Sequence, residues 1–327
     1  MPLTERPIFI IGAQRSGTTL LRYMLCGHPR IYIPPESNFI PRFFRRDPHA
    51  PMKRTQAIRT ARSIFGYQMF FEDWHGEGPD PEEFVDTLPA LTPATFLDAL
   101  YTKYASQFGA QRWGDKSPIY AGCMDLLAGI FPMAQFVHII RDGRDVALSM
   151  LRAYRERRFF YVDLYYAAQI WKQRVSRARM SGRRLGPDRY YELRYEQLTA
   201  EPEALLREIC NFLGEVYVPA VCEPHKIAPE HYHSTGIHVA TRQPPTTRSV
   251  GRWRVEMEPS DERLVENVAG DLLKELGYDE GPGIRMAVRE KLRYARLRIK
   301  YSIVAGGRNL LKSVGVFHPT WLLSGRL

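Results

Sequence analysis

Two stretches of this chain place glycine, hydroxyl and basic residues directly after a short apolar run. The first is Gly12-Ala-Gln-Arg15-Ser16-Gly17-Thr18-Thr19, preceded by Ile8-Phe-Ile-Ile11. A strand, a glycine loop and a helix start gather backbone N–H groups at one point, where an anion binds naturally. The Gly12-x4-Gly17 spacing is that of a phosphate-binding loop, whose next residue would be Lys in a kinase or nucleotidase. Here it is Thr18, which counts against γ-phosphoryl transfer with magnesium. Arg15 sits inside the loop instead and offers its fork to an oxyanion. A tight turn that holds nothing would be a costly use of Arg-Ser-Gly-Thr-Thr. The second stretch is Phe136-Val-His-Ile-Ile140 followed by Arg141-Asp-Gly-Arg-Asp-Val-Ala-Leu-Ser149. Arg141 falls at the carboxyl end of a strand, the ligand side of open α/β sheets. Ser149 lies about two helical turns further on. It joins the same anion only if that helix leans over the site. Arg152, one turn beyond, is a weaker candidate. The plainer reading of this stretch is a helix start braced by Asp142 and Arg144.

These residues need strands and helices to position them. The two apolar runs read as buried parallel strands. Helices are expected from Thr18 to His28, Thr92 to Gly109, Ser117 to about Phe131, Asp142 to about Arg155 and Asp163 to about Arg179. A strand is expected over Tyr190–Tyr195, then helices over Pro202–Leu213, closed by Gly214, and from Ser260 to Gly277. Strands alternating with helices predict an α/β fold: a P-loop-type parallel sheet flanked by helices. A helical or irregular insertion is expected over about 42–112, within a domain of residues 1–281 that precedes a tail of 282–327. The dense aromatics at Tyr67–Trp74 and Phe159–Tyr166 read as core packing or as a stacking wall for a sugar or aryl group.

At the first loop the chain resembles the sulfotransferases that use 3′-phosphoadenosine 5′-phosphosulfate, whose usual loop is Pro-(Arg/Lys)-Ser-Gly-Thr-Thr; Gln14 replaces the proline. The resemblance implies that Arg15, Ser16, Gly17, Thr18 and Thr19 hold the 5′-phosphosulfate, and that Arg141 and Ser149 hold the 3′-phosphate. Arg112-Trp-Gly-Asp-Lys116-Ser-Pro resembles an element in which the lysine faces the transferring group. Leu193-Arg-Tyr195-Glu-Gln-Leu198 resembles the strand end whose tyrosine meets the adenine. Ser249-Val-Gly251-Arg252-Trp253 resembles the loop that closes over the cofactor. The resemblance covers residues 8–41, 92–214 and about 245–278, and is nearest to bacterial members of the tyrosylprotein-sulfotransferase type. It implies sulfuryl transfer to a hydroxyl of a carbohydrate, lipid or other small acceptor, leaving adenosine 3′,5′-bisphosphate. Sulfuryl carries one negative charge fewer than phosphoryl, so loop N–H groups, Arg15 and Lys116 suffice without a metal. Glu36, in Ile31-Tyr-Ile-Pro-Pro-Glu36, matches the stretch that supplies the general base. Asp115 is the second candidate base, although beside Lys116 it can simply orient that lysine. His28 and His138 fit a base worse, ending a helix and lying within a strand. A P-loop kinase of unusual type, or a non-catalytic nucleotide- or polyanion-binding protein, are the competing functions.

Composition narrows the rest. The 327 residues are 44% hydrophobic and 25% charged, as in a globular protein. The formal net charge of +10 is concentrated: residues 282–327 hold ten of the 46 basic residues and one of the 36 acids. The remainder, at 36 against 35, is nearly neutral, which argues against a general nucleic-acid surface. Ile284, Val288, Leu292, Ala295, Ile299 and Ile303 recur at helical spacing among Arg285, Arg289, Arg293, Arg296 and Lys300. Such a helix either packs on the body or lies on an anionic membrane, and the charge favours the membrane. The expected location is the cytoplasm, with reversible docking on the inner membrane face and a small-molecule, glycan or lipid-linked acceptor in reach. No apolar run is long enough to span a bilayer, and no signal peptide is expected. The four cysteines are far apart, without metal or disulfide spacing. His225, His231, His233 and His238 lie in a late loop, read as loop residues or as the lining of an acceptor entrance rather than as a metal site.

Overall fold

The computed structural model describes residues 6–44, 47, 50–68, 70–72, 74–157, 163–227, 243–279, 281 and 285–313. The chain divides into two compact units. One holds residues 1–12, 17–140 and 177–246; the other holds 13–16, 141–176 and 247–327.

The first unit is built on five parallel strands in the order β2-β3-β1-β4-β5. They are β1 (Ile8–Ile11), β2 (Ile31–Tyr32), β3 (Arg112–Lys116), β4 (Gln135–Ile140) and β5 (Tyr190–Arg194). β1, β3 and β4 are buried along their whole length, as expected of strands covered on both faces. Ile10 pairs with Lys116 on one side and Val137 on the other, so β3 ends beside Ile10, next to the end of β1, and β4 continues two residues beyond that end, to Ile140.

The helices that carry or brace the expected site residues are α1 (Thr18–Cys26), α2 (Pro93–Ser106), α3 (Gly143–Arg157), α4 (Leu164–Leu185), α5 (Pro202–Leu213), α6 (Pro259–Glu275) and α7 (Val288–Ser313). Thr92 caps α2 in a box with Thr95, with Pro93 in the first turn. The segment from Ser117 is not one helix: a 3-10 turn at Pro118–Gly122 precedes a helix at Met124–Ile130. Tyr195 opens a short helix, Tyr195–Ala200, instead of ending β5. Glu258, not Ser260, flanks the start of α6.

Two strands escape a hydropathy reading. β2 is only two residues long. β3 carries Arg112, Asp115 and Lys116, which belong by type on a surface. They are tolerated because each has buried polar partners. Arg112 donates to the Leu213 and Arg6 carbonyls and to Gln135, and pairs with Glu215 at 3.2 Å.

The aromatics of the insertion pack inward. Phe70 is fully buried, with ring centroids of Phe39, Phe71, Tyr101 and Tyr104 between 4.9 and 5.4 Å away. Core packing is therefore the role of Phe70, with Phe71 and Trp74 half-buried against it, while the half-buried Tyr67 hydrogen-bonds Asn38 beside Glu36; Phe159 to Tyr161 lie outside the described residues.

In the second unit, Asp145 near the start of α3 accepts from the backbone N–H of Gly251 (2.8 Å) and of Trp253 (3.0 Å). Arg144 pairs with Asp142 and Glu266 and lies over the Trp253 ring. The brace read from Asp142 and Arg144 is thus real, and it anchors the 249–253 loop. α7 packs on its own unit through Tyr294, Tyr301, Glu290 and Arg293. Among the described residues no helix is long and apolar enough to cross a membrane.

Candidate active site

The loop after β1 is shaped by what its glycines avoid. A Cβ on Gly12 would lie 2.6 Å from the Ile139 carbonyl oxygen. Gly17 has φ of 98°, and a Cβ there would meet the Tyr195 ring at 2.4 Å. Only glycine fits both places, and the tyrosine expected to meet an adenine packs against the loop's end. Gly17 is the N-cap of α1, and no side chain caps that helix. Its first N–H groups therefore remain for another acceptor.

Within the second unit, Arg15 has φ of 68°, unusual for a residue with a side chain. Its Nε donates to Ser149 Oγ at 3.1 Å. Arg141 donates to the Arg15 carbonyl at 3.2 Å and to the Ser249 carbonyl. Arg15 thus reaches the Ser149 hydroxyl of α3, while Arg141, 126 positions from Arg15, holds the Arg15 carbonyl. Ser16 is fully buried, and its Oγ has no hydrogen-bond partner among the described residues. Within that unit, a buried hydroxyl in want of an acceptor next to Arg15 suits a phosphate- or sulfate-bearing group.

Within the first unit, Lys116 ends β3 and is 1% exposed, and its Nζ donates to Glu36 Oε1 at 2.8 Å. Asn38 donates to the other carboxylate oxygen at 3.3 Å. Burial lowers the lysine's affinity for its proton, and the Glu36 carboxylate partly restores it. Glu36 keeps a quarter of its side chain exposed, enough to be approached. The sequence points to both residues separately; the structure joins them.

The profile described as the sulfotransferase family matches residues 7–219. The chain belongs to the sulfotransferase family. It is similar to the protein-tyrosine sulfotransferase of Drosophila melanogaster, at 26% identity over 285 residues, or 85% of this chain and 52% of that protein. An uncharacterized protein of Aquifex aeolicus is 30% identical over 231 residues, 68% of this chain and 27% of that one. The chain thus spans about half of the fly relative and less of the bacterial one. The sulfotransferase domain of the Synechococcus olefin synthase has a similar fold, with a TM-score of 0.60 at 22% identity, covering 86% of this chain and 98% of that domain.

Three features of the residues expected at the site need particular reasons. Asp115 is fully buried, and its Oδ2 accepts from Ser37 Oγ at 2.7 Å and from Tyr101 OH at 2.6 Å. Ser37 also meets Tyr120 OH, and Ser117 Oγ accepts the Asn38 N–H. This network fixes the backbone just after Glu36, and neither Ser37 nor the tyrosines were legible as site residues. Asp115 is thus enclosed and turned toward Ser37 and Tyr101. Burial raises its pKa to about 6, against hydrogen bonds that lower it. An acid whose folded pKa lies above its unfolded value stabilises the fold fully below pH 3.8 and loses that contribution as pH rises through about 6. Asp115→Asn keeps an acceptor oxygen and cannot ionise. Between pH 4 and pH 7 it should lose less stability than the native chain, measured by urea unfolding at each pH. Equal pH dependence in both would show that Asp115 does not titrate there.

The second feature is Arg252, which pairs with Glu256 at 3.0 Å; Arg152 pairs with the same carboxylate. Both are thus held at the rim of the 249–256 segment. Asp145, which ties down Gly251 and lies 3.7 Å from Arg141, is a positioning residue that sequence reading passed over. Its signal is its place four residues after Arg141. The third feature is the histidines. His138 is fully buried against Tyr190 OH at 2.6 Å, and burial lowers its pKa to about 3. It is a neutral core residue. His28 is buried against the Val216 carbonyl at 3.0 Å. His225 belongs to the short helix Pro224–Ile227, while His231, His233 and His238 lie outside the described residues.

Proposed function

We propose that the chain is an enzyme that moves a sulfuryl group from 3′-phosphoadenosine 5′-phosphosulfate to an acceptor hydroxyl, with Glu36 as general base. The observation that carries this reading is the Glu36–Lys116 pair at the carboxyl end of β3, level with the start of the glycine loop. In the proposed roles, Arg15, Ser16, Gly17, Thr18 and Thr19 hold the 5′ end of the nucleotide. Arg141 and Ser149 hold the 3′-phosphate, Tyr195 borders the adenine, and Gly251 and Arg252 close the site. The donor supplies a sulfuryl group on an anhydride oxygen, and no metal is needed in this scheme. Glu36 takes the proton of the acceptor hydroxyl. Its neutralisation removes the counter-charge of Lys116 and frees that ammonium for the negative charge that develops in transfer.

The acceptor is a hydroxyl compound: a glycan, a lipid-linked or other small molecule, or a protein tyrosine, as the fly relative's name suggests. Cys26, Cys123, Cys210 and Cys222 are free thiols, which suits a cytoplasmic enzyme. Calorimetry tests the nucleotide assignment: adenosine 3′,5′-bisphosphate should bind without metal, and ATP with magnesium should bind more weakly. The opposite preference would favour the kinase. Labelled sulfate transfer to sugar, lipid and tyrosyl-peptide acceptors then identifies the substrate class, and transfer to none of them would oppose the enzyme assignment.

A further inference from the structure

α7 has two faces with different work. At about 100° per residue, Glu290, Tyr294, Leu297 and Tyr301 share one side of the helix. That side is the bound one. Tyr165 meets the rings of Tyr294 and Tyr301 at 5.4 and 5.7 Å, Gln173 donates to Tyr301 OH at 3.0 Å, and Arg263 pairs with Glu290. The aliphatic residues lie on the other side. Val288 is 73% exposed, Leu292 67%, Ile299 61% and Ile303 69%, and Ala295 between them is exposed too. The expected choice between packing and membrane was therefore not exclusive: the helix is anchored through tyrosines and leaves its aliphatic stripe in solvent.

Basic residues flank that stripe on both sides. Arg289 and Arg296 follow one edge, and Lys291 and Arg298 follow the other. All four are exposed, and none forms an ion pair among the described residues. By contrast Arg293 and Lys300, nearer the bound side, pair with Asp261 and Asp163. An apolar stripe about 20 Å long, edged by unpaired cations and fixed from behind, matches a surface of acyl chains beneath anionic headgroups. A second copy of the chain is a worse fit, since stripe-to-stripe contact would bring like charges together at both edges.

We propose that α7 docks this protein on an anionic bilayer, with its outer face in the headgroup region and its inner face still bound to the chain. The proposal is independent of the sulfuryl-transfer reading. Flotation with vesicles of phosphatidylglycerol and phosphatidylcholine in equal parts tests it, against phosphatidylcholine alone. The full chain should float with the anionic vesicles at low salt and be released by high salt. Each basic residue near such a surface contributes about fivefold in partition. Replacing Arg289, Lys291, Arg296 and Arg298 together by Gln should therefore weaken binding several hundredfold, that is, about five to the fourth power. Replacing Val288, Leu292, Ile299 and Ile303 together by Ser should abolish flotation. All eight side chains are exposed, and unchanged circular dichroism and bisphosphate affinity would show that both variants fold. Failure of the full chain to float, or flotation of both variants like the native chain, overturns the proposal. So does a concentration-dependent dimer, lost in the Ser variant, in a chain that ignores anionic vesicles.

Discussion

Glu36→Gln should lower turnover about 100-fold or more, the usual share of general-base catalysis, while affinity for adenosine 3′,5′-bisphosphate stays unchanged. Gln keeps an oxygen that can accept from Lys116, so the buried ammonium is not stranded, and what is lost is the capacity to take a proton. The measurement is single-turnover sulfate transfer with saturating donor, alongside calorimetry with the bisphosphate. Asp115→Asn is the companion variant. Because Asp115 is enclosed by Ser37, Tyr101 and Tyr120, it should cost much less than Glu36→Gln. Turnover that survives in Glu36→Gln and dies in Asp115→Asn would mean that the base has been misassigned.

The second large effect concerns the anion sites. Arg15→Ala and Arg141→Ala should each weaken bisphosphate binding by about 10- to 150-fold, from the loss of a charge-assisted hydrogen bond of roughly 1.5–3 kcal/mol. The two should differ in a second readout. Arg141 also braces the Arg15 and Ser249 carbonyls, so its removal loosens the loop and should lower thermal stability. Arg15 donates to the Ser149 hydroxyl among its partners, and Arg15→Ala should cost less thermal stability than Arg141→Ala. Arg141→Lys preserves charge without the fork and should fall between native and Ala. Native affinity in both alanine variants would remove the basis for two anion sites.

The parts legible in the sequence were those written in a local pattern. Ile8–Ile11 before Gly12, Phe136–Ile140 before Arg141, and Pro202–Leu213 before Gly214 each carry their own start or stop signal, and each forms the expected element. β3 was invisible as a strand because Arg-Trp-Gly-Asp-Lys is polar, and the partners that make its burial tolerable come from remote positions such as Gln135 and Glu36. The same holds at the site. Glu36 and Lys116 were found through motif likeness, but their contact at 2.8 Å spans 80 residues and has no local signature. Ser37, Tyr101 and Tyr120 matter only because the fold gathers them on one carboxylate.

The Glu36–Lys116 contact also sets the sequence in which charge appears. At rest the two groups sum to zero, so the site holds its lysine without an excess positive field. In the proposed reaction, proton uptake by Glu36 turns that balance into a net positive charge just as negative charge passes to the departing nucleotide. The same event leaves the enzyme in a product state it cannot keep: a buried ammonium beside a neutral acid favours loss of the acid's proton. In the proposed cycle the quarter of Glu36 that faces solvent is the exit, and the cycle closes with a proton delivered to bulk water.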